Sequence, residues 1–164
     1  MEKILPDVSL RLLSNPEYYQ SVSKDNIPYQ KIAVMHGDQT IASTINQRCY
    51  LWRNHEECKF CAIELSLQTN ATIEKKTAQQ ILETITKAQQ ENPRFANHIT
   101  LTIGTQPTPD KGLFEYIPII EAIKKKFPEI QIHIQIEPLN DTTLLQKIHD
   151  VGADTIGIYS NNPL

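Results

Sequence analysis

The 164 residues contain no apolar run approaching the ~18–20 that cross a bilayer, and the first six lack the apolar stretch of a secretory signal. Membrane insertion and export are therefore not expected, and the expectation is a soluble, cytoplasmic chain. Charge excess is also missing: sixteen Lys plus Arg stand against nineteen Asp plus Glu, a net charge of −3. Nothing in that balance points to nucleic acid or an anionic membrane as the main partner. Only five glycines, beside 40% apolar residues, exclude a fibrous or low-complexity chain, and the length suits one domain with a real core. Cysteine is scarce as well. Three thiols cannot form a closed set of disulfides, and a cytosolic chain would keep them reduced.

Where those three cysteines fall carries more than their number. Cys49, Cys58 and Cys61 lie within thirteen residues, with eight residues in the first gap and two in the second, and the rest of the chain has none. Thiols serving only as small core fillers would be scattered, whereas Cys58-Lys59-Phe60-Cys61 has a metal-chelating spacing. Two metals are open at this point. Four-iron clusters normally take four thiolates, so three leave one iron vacant for a small chelating ligand. Alternatively His55 joins the thiols in a Cys3His zinc site that staples a structural or binding module. Zinc staples mainly serve domains too small to build a core, a need that is weak in this chain.

The rest of the chain reads as alternating strands and helices. Residues 1–30 form a weakly patterned N-terminal extension with turn signals at 15–19 and 25–28, and residues 31–164 form the domain proper. Residues 32–35 and 40–45 predict a hairpin or two short strands, the second ending near Gln47. Thr77 to Gln80 is a capping box that opens a helix with Ala78, Ile81, Leu82, Ile85 and Ala88 on one stripe, ending near Pro93. Strands follow at 98–103, 130–136 and 154–159. Between them lie a helix over 114–127, with Pro118 in its first turn, and a third after Asp141 that carries Leu144, Leu145 and Ile148 and stops at Gly152.

Strands alternating with helices predict parallel pairing. Parallel strands covered on both faces are continuously apolar, yet Ile99, Leu101 and Ile103 alternate with His98, Thr100 and Thr102, and Ile132, Ile134 and Ile136 with Gln131, His133 and Gln135. One face is polar. The expected fold class is α/β, a partial (β/α) barrel of about four parallel strands and three helices around a polar lumen. Cys49, two or three residues beyond the first parallel strand, then sits at the carboxyl end of the sheet, where sites of such folds collect.

The cysteine segment resembles the radical S-adenosylmethionine (SAM) superfamily, and most closely its subgroup encoded beside nitrilases in bacterial gene clusters, which tolerates a long first gap. The similarity runs in order through residues 58–67, 72–77, 101–105, 135–138 and 152–157. It implies that Cys49, Cys58 and Cys61 ligate a [4Fe-4S] cluster whose open iron chelates SAM, with an external electron donor and an unidentified small-molecule substrate. It implies further that Phe60 packs near the SAM adenine. Gly104 and Thr105 take the place of a Gly-Gly-Glu stretch that contacts the SAM amino group, here without its acid. Glu137 faces the lumen within reach of SAM ribose or substrate. A barrel of this type usually has six βα units, and two more would need about 50–60 residues. The resemblance therefore implies a truncated or split chain, or one whose barrel is completed by association at its last strand.

Four other groups stand out. His98 and His133 fall on the polar face as hydrogen-bonded lumen fillers or substrate contacts. Lys75 and Lys76, just before the capped helix, read as a solvated pair, with an acidic ligand group as the alternative. Tyr50, Trp52 and Arg53 offer a lid over the cluster or a partner surface. Lys124, Lys125 and Lys126 suit the solvated end of a helix.

Overall fold

The computed structural model describes residues 13–159. Five strands form one sheet in chain order: β1 (Val34–His36), β2 (Thr40–Thr44), β3 (His98–Thr102), β4 (Gln131–Ile136) and β5 (Thr155–Ile158). The first two make an antiparallel hairpin, and every later pairing is parallel, with Ile41 opposite Ile99, Ile99 opposite Ile132, and Ile134 opposite Ile156. Connections between the parallel strands are helical: α1 (Tyr50–Arg53), α2 (Ile63–Gln68) and α3 (Ala78–Glu91) before β3, α4 (Ile117–Lys126) before β4, and α5 (Leu144–Asp150) before β5. The chain is thus an α/β protein with a mostly parallel sheet. The sheet is open, so a closed barrel is not what the described residues form.

Burial follows the alternation. Ile41, Ile99, Leu101, Ile132 and Ile134 are wholly buried beneath Ile81 and Ile85 of α3 and Ile120 and Ile123 of α4. Each such side chain contributes roughly 1.5–3 kcal/mol. The opposite face carries Thr44, Thr100, Thr102, His133 and Gln135, all half-buried. Helices α3 and α4 pack on the apolar face, and the strands follow one another in chain order.

The capping box forms as the sequence predicts: Thr77 Oγ1 accepts from the Gln80 amide at 3.2 Å, and Gln80 Oε1 accepts from the Thr77 amide at 3.0 Å. Pro118 falls in the first turn of α4, which a 3-10 turn at Leu113–Tyr116 precedes. Of the segment read as an extension, residues 1–12 lie outside the described residues. Residues 13–30 pack on the core through Tyr18 and Tyr29, and Glu91 at the end of α3 accepts from the amides of Glu17 and Tyr18 at 2.9 and 2.8 Å. Strand β2 stops at Thr44, short of Gln47, because the chain changes partners there. Ile45 still donates to the Thr102 carbonyl at 2.8 Å, but Asn46 bridges Lys75, and Gln47 donates to the Glu74 carbonyl at 2.8 Å.

Candidate functional site

That change of partner aims Cys49. Residues 45–49 run between the 74–76 segment on one side and the turn after β3 on the other. Gly104 donates to the Asn46 carbonyl at 2.8 Å, and Tyr50 donates to the Thr105 carbonyl at 2.7 Å. The approach is so close that a side chain at Gly104 would collide with the Arg48 carbonyl and lie 3.0 Å from the Cys49 Cα. Glycine is needed here for space. Gln106 adds a clamp, its Nε2 donating to the Arg48 and Gly104 carbonyls at 2.8 and 2.6 Å.

Beyond Cys49, the single turn of α1 reverses the chain and Cys58 and Cys61 close a tight turn, with the Cys61 amide donating to the Cys58 carbonyl at 2.9 Å. Helix α2 follows and returns Glu64 to the Cys49 backbone. Glu64 Oε1 accepts from the Cys49 amide at 3.2 Å, while Oε2 lies 3.6 Å from Arg48, which also binds Glu74 at 2.8 Å. The Asn46 side chain buttresses the same stretch, accepting from the Arg48 amide at 3.1 Å and donating to Glu115, itself held by Lys75 at 2.7 Å.

These elements bring six of the seven sequence-predicted site residues to one cavity of about 150 Å³ at the carboxyl ends of β3 and β4: Cys49, Cys58, Cys61, Gly104, Thr105 and Glu137. The seventh, Phe60, stands wholly exposed at the tip of the turn and does not line it. Tyr159 does. No disulfide joins the thiols. Burial pushes the Cys58 thiol up, and the neighbouring Cys61, Cys49 and Glu137 push it the same way. Each would repel a thiolate unless a cation shared the site. Glu137 Oε1 lies 3.6 Å from Lys111, and its Oε2 is buried without a hydrogen-bond partner among the described residues.

The donor set is soft and converges on one cavity, which suits iron–sulfur or zinc chemistry. Among the described residues, however, no three His, Cys, Asp or Glu side chains stand in metal-ligating geometry. His55 is exposed, in left-handed backbone with φ 58°, and does not line the cavity. His98 and His133 sit at the other end of the polar face, rings 6.3 Å apart and 26° from parallel, with His133 Nδ1 2.8 Å from the Thr155 hydroxyl. Burial and the neighbouring His133 both lower the His98 imidazole, so each favours its neutral form.

Sequence reasoning missed Asn46, Glu64, Gln106 and Glu115. Only Glu64 carried a signal, its place on the short helix directly after the third cysteine. The fold and site together define an α/β protein with a thiol-lined cavity at the carboxyl end of a mostly parallel sheet. The chain matches no protein-family model, no curated protein and no solved structure.

Proposed function

We propose that the chain is a radical SAM protein whose Cys49, Cys58 and Cys61 thiolates hold a [4Fe-4S] cluster and whose cavity admits SAM. The observation that carries this reading is the convergence of three thiols with Gly104, Thr105 and Glu137 at the carboxyl end of the parallel strands. When bound, such a cluster supplies the electron, received from an external donor, that splits SAM into methionine and a 5′-deoxyadenosyl radical.

The chain's own residues then bind, orient and exclude water. The Glu64 carboxylate and the Gly104 passage set the direction of Cys49 before any ligand arrives, so little ordering remains at that ligand. Glu137 offers a desolvated acceptor oxygen for a SAM ribose hydroxyl or a substrate hydroxyl. Phe60, an uncovered ring between two thiols, supports packing against a planar group such as adenine. The Thr105 carbonyl is committed to Tyr50, which leaves the Thr105 side chain for the SAM amino group. Polar residues behind the cavity would face the substrate.

Anaerobic reconstitution with iron and sulfide tests the reading. The expected result is about four irons per chain, consistent with a four-iron cluster, and a change in the reduced cluster's electron paramagnetic resonance spectrum when SAM is added. Uptake of one zinc with refusal of iron overturns it.

A further inference from the structure

A second, larger cavity of about 530 Å³ lies along the polar face of the sheet. Its walls are β1, the outward residues of β2 and β3, and the segment before α3. It meets the thiol cavity at Thr102 and Gln135, which line both. Its chemistry is one-sided. Lys31, His36 and Lys76 line it together with Thr44, Ser66 and Thr100, and no Asp or Glu does among the described residues.

Lys76 is the notable member. It is 3% exposed, yet no carboxylate pairs with it among the described residues. Its Nζ donates to the Thr72 hydroxyl at 2.6 Å and the Ile73 carbonyl at 2.9 Å. The Gln47 amide, turned to donate to the Ile63 carbonyl at 3.0 Å, accepts from it at 3.2 Å. These neutral acceptors satisfy the N–H groups but leave the charge uncompensated. A buried ammonium without a counter-ion is costly, and burial lowers the amine to about 7. Lys31, on the same wall, is tied among the described residues only to the neutral Asn70 side chain at 2.8 Å.

We propose that this cavity binds the terminal oxyanion, carboxylate or phosphate, of a small hydroxylated molecule, with Lys76 as its counter-charge. The oxyanion replaces a neutral acceptor at Lys76 Nζ, and the threonine hydroxyls of β2 and β3 meet the rest of the ligand. This inference rests on the cavity and not on the thiols, so it stands or falls separately from the radical SAM reading.

The test uses the full chain without iron or SAM, titrated calorimetrically with inorganic phosphate and, separately, with malonate. Saturable binding of at least one anion is expected, weakened about tenfold or more in Lys76→Met, the usual worth of a charge-assisted hydrogen bond. The arm that saturates assigns the oxyanion. Failure of both to saturate, or equal affinity in Lys76→Met, overturns the proposal. Should that variant not fold, lysine acylation of the wild-type chain read by mass spectrometry decides. The anion slows labelling of Lys76 and leaves the exposed Lys125 unchanged, and equal slowing or none overturns the proposal.

Discussion

Gly104 carries a constraint that no side chain could meet. Its backbone passes against Arg48 and Cys49, so Gly104→Ala must push the Cys49 segment away from β3. Overpacking of this kind costs about 1–3 kcal/mol. A lower urea midpoint together with reduced iron uptake is expected; unchanged values for both would mean that the two segments part freely. Lys76 makes a second prediction at this scale. The unfolded chain holds a proton on this amine up to the ordinary value near 10.5, whereas the folded chain releases it above about 7. Between those values the unfolded state binds more protons, so wild-type stability rises with pH relative to Lys76→Met, by up to about 1.4 kcal/mol per pH unit. Urea midpoints of both proteins at pH 7 and pH 9 check this, and a constant difference between them would refute it. The lysine was visible in the sequence as one of a pair before a helix. That Lys75 faces outward to Glu115 while Lys76 turns inward depends on the bridge between Asn46 and Lys75, which no local pattern announces.

At the scale of elements, α3 shows how far a local signal reaches. Its capping box and apolar stripe locate both ends, and the box is formed. Replacing Thr77 by alanine leaves the Gln80 amide without its acceptor and should lower stability by about 1 kcal/mol, read as a shift in the urea midpoint. No shift would mean that water satisfies the amide equally well. Helices α1 and α2 contrast with it. Four and six residues are too few to display a period, and α1 is held at its start by the Thr105 carbonyl, 55 residues away in the chain. Glu64 gains its importance the same way, through the return of α2 to Cys49. Glu64→Ala is expected to reduce iron retained after gel filtration and to lower stability by only about 1 kcal/mol, because the Cys49 amide loses its acceptor while the partly exposed ion pair with Arg48 contributes little. A large loss of stability with normal iron would contradict that role.

At the scale of the whole molecule, the sheet of the described residues ends at β5, where Ile156 and Ile158 are 37% and 55% exposed. Among the described residues, strands β3 and β4 are paired on both sides and β5 pairs only with β4. Hydrogen exchange should therefore be slowest at Ile132 and Ile134 and fast at those β5 amides that do not bond to β4; protection of all four β5 residues would reveal a further strand on that edge. The strand–helix alternation, the polar and apolar faces and the single cluster of cysteines were set by local chemistry: side-chain period, capping groups and turn residues act within a few positions. Tertiary structure decided the rest. Only the folded chain brings Cys49 and Cys61 to the same cavity as Glu137, turns Lys76 inward and uncovers an acid-free wall, because those relations join segments tens of residues apart and depend on strand order and close backbone packing. The thiols are written in the sequence; the surroundings that tune them exist only in the fold.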